Sequence, residues 1–179
     1  MEHEQIDEYN KLGEKIGVVD KEIAHRDGLW HKAVHVWIVN DNNEILLQYR
    51  CAEKSLYPNL WDCSFAGHIG VGESSIEGLI REGKEELGIE VDLEKLEFVM
   101  TTVENVVYEK IISNEFDDVY ILRQNIDINE IKFQKEEVSD AKYVSLEKFF
   151  EFIEKGDIVP HKIEYMVLKE ILLKDRKNK

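Results

Sequence analysis

Three glutamates recur at helical spacing in one segment of the sequence. Glu82, Glu85 and Glu86 stand at i, i+3 and i+4, so a helix would place their carboxylates on one patch about a turn long. Like charges at this spacing repel, and a bound cation of the Mg²⁺ type, which takes oxygen ligands, would relieve that repulsion. The pattern predicts a divalent-metal site or, alternatively, a solvated helix face with Arg81 and Lys84 as salt-bridge partners.

A longer pattern surrounds these glutamates. From Gly67 the chain runs through five residues to Glu73, and through seven more to the segment REGKEELGI at 81–89. This pattern resembles the Nudix box, G-x5-E-x7-R-E-U-x-E-E-x-G-U with U apolar. Its seven fixed residues, each at an average usage of about 5–7%, would match by chance on the order of once in a billion starting positions. Gly83 occupies the first U position, and because glycine destabilises a helix, we expect a closely approaching neighbour there.

The resemblance implies an α+β protein with the Nudix fold, an α/β/α sandwich whose mixed β-sheet carries a loop-helix-loop. Carried over residue by residue, Glu82, Glu85, Glu86 and the carbonyl of Gly67 would bind the metal. The cofactor would be Mg²⁺, with Mn²⁺ as a substitute, and the partner a small phosphorylated substrate. The metal would neutralise diphosphate oxygens and lower the pKa of the attacking water.

The same resemblance implies roles for the residues around the metal ligands. Arg81 and Glu73 would pair and hold the loop on the helix, which places Arg81 in the catalytic set with the glutamates. Hydrolysis also requires a general base. Glu86 and Glu115 are both candidates, and the sequence does not choose between them.

A second, narrower resemblance extends over His25–Trp37, Tyr57–Trp61 and the glycine-histidine pair at 67–68. These segments are similar to isopentenyl-diphosphate isomerase and its hydrolase-like relatives. In the isomerases a metal is held by three histidines and two glutamates. The corresponding second metal site here would consist of His25, His31, His68 and Glu115, with Ser113 standing where the other glutamate would be.

Two features count against isomerase activity. The isomerase's catalytic cysteine should fall just before the glycine-histidine pair, where this chain has Ala66, and Cys63 lies three residues too early. Isomerases also keep only part of the Nudix glutamate set, whereas this sequence keeps all of it. The leading hypothesis is a Mg²⁺-dependent Nudix hydrolase that cleaves a phosphoanhydride bond in a nucleoside diphosphate linked to another group. An isomerase of isopentenyl diphosphate is the first alternative, and a non-catalytic Nudix ligand-binding module is the second.

Aromatic and histidine residues outside the box are candidates for substrate contacts or for the core. Trp61 and Tyr57, which lie close to the box in sequence, are the residues that we expect to contact the substrate. His35 lies in a predicted strand, where a hydrogen-bonded structural histidine is the common case. Cys51 and Cys63 form no Cys-x-x-Cys pair, so neither a disulfide framework nor a structural zinc site is expected.

Composition narrows the class of protein. The 179 residues predict a single domain over 1–179, with 1–12 as a short helix or frayed arm. A formal net charge of −15 disfavours binding to nucleic acid or to a membrane surface. The start has no apolar leader and no run of membrane-spanning length occurs, so we expect a cytoplasmic protein. Because soluble oligomers are most often twofold symmetric, a homodimer is the oligomer we would expect.

Hydropathy periodicity predicts the elements that must position these residues. The segments 33–39 and 44–49 around the turn 41–43 indicate a hairpin, and 73–89 indicates an amphipathic helix with a capping box at Ser74 and Glu77 and a stop at Gly88. Short strands are predicted at 14–20 and 63–66. Further strands are predicted at 96–107, 108–112 and 119–123, and further helices at 146–154 and 162–174.

Overall fold

The structure is a computed structural model that describes residues 4–177. It contains nine strands, four helices and two short 3-10 turns in the described chain. In chain order the strands and helices are β1 (Gln5–Tyr9), β2 (Lys15–Asp20), α1 (Lys21–Asp27), β3 (Trp30–Val39), β4 (Ile45–Arg50), β5 (Trp61–Asp62), β6 (Phe65–His68), α2 (Ser75–Glu86), β7 (Leu96–Tyr108), β8 (Ile111–Leu122), β9 (Val138–Val144), α3 (Leu146–Lys155) and α4 (Lys162–Lys177).

Strand β3 is the centre of one mixed sheet. It pairs antiparallel with β1, β4 and β6, and parallel with β8. In the parallel pair His31 lies opposite Glu115 and His35 lies opposite Val119. Because side chains alternate between the faces of a strand, the odd-numbered residues of β3 and β8 share one face of the sheet.

Helices cover both faces of the sheet. One apolar cluster joins Trp37 and Val119 to Phe149 of α3 and Leu168 of α4. The other joins the alternate residues of β3, such as Val34 and Val36, to Leu79 of α2. The predicted α/β/α sandwich with a mixed sheet is therefore confirmed.

Helix α2 has the predicted local signals at both ends. Ser74 accepts a hydrogen bond from the backbone N–H of Glu77, whose side chain accepts one in return from the Ser74 backbone. Gly88 follows the helix at φ 67°, a left-handed conformation that suits glycine. A Cβ on Gly83 would lie 3.1 Å from Cζ of Phe65, a close contact that a larger residue could make only if the neighbouring side chains moved by a few tenths of an ångström, which agrees with the expected close neighbour.

Several elements differ from the sequence-based expectation. Residues 1–3 of the predicted N-terminal arm lie outside the described residues, but 5–9 form strand β1 because they pair with β2 and β3. The predicted strands 108–112 and 119–123 are one continuous strand, β8, preceded by a turn with Glu109 at φ 52°. Helix α1 and strand β9 were not predicted. Within 4–177, none of the helices is both long and apolar enough to cross a bilayer.

Candidate active site

Arg81 joins the loop before α2 to the helix itself. Its Nε and Nη2 donate to the two carboxylate oxygens of Glu73 at 3.0 Å each, and Nη2 also donates to the carbonyl of His68 at 2.8 Å. Its Nη1 donates to Glu82 at 2.6 Å and to Glu85 at 3.1 Å. One guanidinium thus holds the loop and orients two carboxylates of the box.

Glu82 and Glu86 are buried between α2 and strand β6. The Glu82 carboxylate lies against Gly67, where a Cβ would come within 2.0 Å of its Cδ. The backbone N–H of Ala66 points to the Glu86 carboxylate at 3.3 Å. Glu85 differs from both, since about half of its side chain is exposed. The fold therefore brings Gly67, Glu82 and Glu86 to one place.

Burial shifts the protonation of this pair. It raises the pKa of Glu82 to about 7, although Arg81 opposes the shift, and it raises the pKa of Glu86 to about 8, with the charge of Glu82 adding to it. Raised pKa values are expected for two neighbouring buried carboxylates when the cation that would compensate their charge is absent. The residues present therefore fit a divalent ion.

A cavity of about 610 Å³ opens beside these carboxylates. The three box glutamates line it together with His25, His68 and Glu115. It also contains Lys21, Arg50 and Lys54, cations that the sequence-based reasoning did not select. Lys21 is paired with Glu4 at 2.7 Å and Lys54 with Glu137, so each is held at the cavity by an acidic partner.

A cluster of three histidines converges on Glu115 in the same cavity. Oε1 of Glu115 lies 3.0 Å from Nε2 of His31, 3.6 Å from Nε2 of His68 and 3.7 Å from Nε2 of His25. The four ligand atoms all lie within 4.8 Å of one another. Among the described residues the box glutamates form no group of that compactness, and Arg81 is hydrogen-bonded to both Glu82 and Glu85.

The electrostatics of this cluster suit a metal. Burial lowers the pKa of His68 to about 4, so the ring is neutral, which is the ligand form. The contacts of the three imidazoles hold the pKa of Glu115 well below its usual range, although burial alone would raise it. Nε2 of His25 is buried and has no hydrogen-bond partner within residues 4–177. Nδ1 of His31 is bonded to the carbonyl of Leu29 at 2.9 Å, which orients the ring.

Comparison with known proteins decides the family. The family model described as NUDIX domain matches residues 29–166. The chain belongs to the Nudix hydrolase family. This assignment agrees with the fold and with the loop-helix-loop that carries the buried glutamates.

Relatives of this Nudix hydrolase differ in length. Nudix hydrolase 3 of Arabidopsis thaliana is 40% identical over 182 residues, covering 96% of this chain and 24% of that protein, so the chain spans about a quarter of its length. An uncharacterised Nudix hydrolase of Listeria innocua is 30% identical over 160 residues, 89% of each protein. A crystal structure from Deinococcus radiodurans has a TM-score of 0.70 at 23% identity over 93% of this chain and 98% of that one, which shows the shared fold.

Isomerases also match, over a shorter stretch. An isopentenyl-diphosphate Delta-isomerase of Escherichia coli is 35% identical over 92 residues, covering 51% of this chain and 50% of that one. Another isomerase, of Paenarthrobacter aurescens, is 35% identical over 62% of this chain, so the second resemblance noted in the sequence covers about half to two thirds of the chain.

The two predicted substrate-contact residues of this Nudix hydrolase have different surroundings. Tyr57 lines the cavity. Trp61 is not among the residues that line the cavity. Its ring stacks on the ring of Phe152, with 6.0 Å between the ring centres, and Nζ of Lys142 lies 3.7 Å from the centre of the Trp61 ring. Because Trp61 packs against the core of α3, the structure does not bring it to the box glutamates.

A second buried histidine network was missed by the sequence analysis. Nδ1 of His35 is bonded to Glu164 at 2.7 Å, and His161 contacts Asp62 at 2.9 Å and Glu104 at 3.0 Å. The expectation that His35 is hydrogen-bonded agrees with this geometry. His161 and Glu164 could have been suspected from the sequence only by their i, i+3 spacing after Pro160. The residues that they contact, such as Asp62 and His35, lie about 100 or more positions earlier in the chain.

Proposed function

We propose that this Nudix hydrolase requires Mg²⁺, with Mn²⁺ as a substitute, and cleaves the phosphoanhydride bond of a nucleoside diphosphate linked to another group. The observation that carries the proposal is the placement of Glu82 against Gly67, next to buried Glu86, in a cavity that also contains Lys21 and Lys54. Carboxylates for a cation and lysines for phosphate oxygens in one cavity are the combination that a diphosphate requires.

The residues of the chain divide the work. Gly67, Glu82, Glu85 and Glu86 would hold the divalent ion, which when bound neutralises diphosphate charge and makes water more acidic. Arg81 orients Glu82 and Glu85. Glu86 is the better candidate for the proton acceptor, since Glu115 is already hydrogen-bonded to His31 and Ser113 and lies beside His25 and His68.

The shape of the site supports a substrate with groups on both sides of the diphosphate. A second cavity of about 340 Å³ shares Tyr57, Glu104 and Val159 with the main one. A volume of about 300–1,000 Å³ is typical of small-molecule sites, so the two together accommodate more than a diphosphate. Glu104 and His161 make this end of the main cavity polar, which favours hydroxyl-bearing groups over a hydrocarbon chain.

We further propose that His25, His31, His68 and Glu115 bind a second metal ion. The support is the convergence of four ligand atoms within 4.8 Å and the buried, unpartnered Nε2 of His25. Ser113, which stands where the isomerases have a second glutamate, donates a hydrogen bond to Glu115. The site would therefore have one carboxylate instead of two.

The test is a panel of phosphoanhydrides assayed with Mg²⁺ and with Mn²⁺. Nucleotide sugars, dinucleoside polyphosphates, NADH, coenzyme A and nucleoside triphosphates would be incubated with the protein, and the products identified by chromatography. We expect cleavage at a diphosphate linkage, with the highest kcat/KM for a compound substituted at both ends. Absence of turnover across the panel with either metal would contradict the proposal.

A further inference from the structure

Asp117 is a buried carboxylate with too few partners. It lies on β8 two residues after Glu115, and its side chain is inaccessible to solvent. Thr102 Oγ1 lies at 3.4 Å from its Oδ2, and Oδ1 has no hydrogen-bond partner within residues 4–177. Unsatisfied buried polar atoms are rare in folded proteins, and a bound ion or water is a usual explanation.

His35 presents one ring nitrogen to this carboxylate. Its Nδ1 is bonded to Oε1 of Glu164 at 2.7 Å, and the other oxygen of Glu164 accepts a hydrogen bond from Nε1 of Trp37 at 2.7 Å. The ring is therefore oriented from behind by a fixed carboxylate, as histidine ligands of metals commonly are. Its free nitrogen, Nε2, lies 3.9 Å from Oδ1 of Asp117, which is too far for a hydrogen bond.

Glu115 completes the arrangement. One nitrogen of His35, one oxygen of Glu115 and one oxygen of Asp117 lie within 4.8 Å of one another. Within the described chain, both hydrogen bonds of the Glu115 carboxylate end on Oε1, at His31 and Ser113. Oε2 is therefore available to a further ligand. His35 and Glu115 also line the main cavity, which provides a path for an ion from solvent.

We propose that His35 Nε2, Asp117 Oδ1 and Glu115 bind a divalent transition-metal ion, with Glu115 shared between this ion and the one held by the three histidines. One imidazole and two carboxylates suit Mn²⁺ or Zn²⁺ better than Mg²⁺, which prefers oxygen ligands throughout.

The decisive experiment is anomalous diffraction from crystals of the wild-type protein soaked in MnCl₂. We expect two peaks on either side of Glu115, one of them at about 2.2 Å from both His35 Nε2 and Asp117 Oδ1. A water molecule or no density at that position would overturn the proposal. The map does not depend on turnover, so it is independent of the hydrolase assignment.

A solution measurement uses matched variants. Mn²⁺ retained after desalting would be counted by elemental analysis for the wild type, for Asp117→Asn and for Asp118→Asn. Asp118 is the adjacent aspartate, hydrogen-bonded to Thr101 at 2.6 Å, and serves as the control. We expect Asp117→Asn to lose one equivalent and Asp118→Asn to lose none. Equal metal content in all three proteins would contradict the proposal, and if Asp117→Asn does not fold, the wild-type map decides.

Discussion

The carboxylate of Glu82 occupies the space that a side chain at residue 67 would need. A Cβ on Gly67 would lie 2.0 Å from Cδ and 2.2 Å from Oε1 of Glu82. The three nearest atoms all belong to the end of the flexible Glu82 side chain, so we expect a larger residue at 67 to displace the carboxylate before it displaces the helix. The position of the Glu82 carboxylate, a proposed metal ligand, thus favours glycine at this position of the box.

Gly67→Ala should therefore reduce activity far more than stability. We expect kcat/KM to fall by about 100-fold, which corresponds to about 2.7 kcal/mol of lost transition-state stabilisation. The melting temperature should change by only a few degrees, since Glu82 can rotate away. Kinetics and thermal unfolding on the same preparation would check this. Unchanged activity would show that the position of Glu82 does not matter for catalysis.

Glu85→Gln and Glu86→Gln should abolish measurable turnover while the protein stays folded. Glu85→Gln removes a charge with almost no change in volume, and Glu86→Gln replaces a buried carboxyl group whose burial raises its pKa, so the melting temperature should hold or rise. Glu90→Gln, an exposed position just after α2, is the matched control and should keep wild-type activity. Wild-type turnover in both box variants would refute the catalytic assignment.

The contribution of Glu82 and Glu86 to stability without metal should decrease as the pH rises from about 5 to about 8. The folded pKa values of Glu82, about 7, and of Glu86, about 8, lie above the ordinary carboxyl value, so the native state binds more protons than the unfolded state in this window. Their stabilising contribution is present at low pH and is lost as pH passes the folded values. Melting temperatures across this range in chelator would measure the slope. Glu86→Gln should flatten it, and an identical slope in that variant would assign the effect to other groups.

Millimolar Mg²⁺ should raise the melting temperature, because a ligand that binds only the native state stabilises it by mass action. Glu82→Gln should shrink this shift, since one of the buried ligands loses its charge. Thermal unfolding with Mg²⁺ and with excess chelator is the measurement. An unchanged profile, in an enzyme that remains active in chelator, would exclude the metal mechanism.

Isopentenyl diphosphate should not be isomerised. Isomerisation needs a proton donor and an acceptor on opposite faces of the allylic carbons, and the methyl group of Ala66 cannot exchange a proton. We expect no dimethylallyl product and no solvent deuterium in the carbon chain, with either Mg²⁺ or Mn²⁺, by NMR of the reaction in D₂O. Deuterium incorporation at an enzymatic rate would contradict this prediction and would require another proton donor in the cavity.

The box helix could be predicted from the sequence because its determinants are local. Apolar spacing, the Ser74–Glu77 capping box and the stop at Gly88 all lie within one segment, and each acts over a few residues. The hairpin of β3 and β4 has the same character. The resemblance to the Nudix box then supplied the pairing of Arg81 with Glu73, which the geometry also shows.

The composition of the histidine cluster and the surroundings of Trp61 were decided by the tertiary structure, because they depend on contacts between segments that are distant in the sequence. Glu115 meets His31, 84 residues earlier, because β3 and β8 pair in parallel with these two residues in register. The same pairing places Asp117 and His35 on one face, whereas Trp61 is drawn onto Phe152 of α3 and away from the cavity. Strand register and helix packing are set by the burial of the whole sheet, and no local pattern in the sequence contains that information.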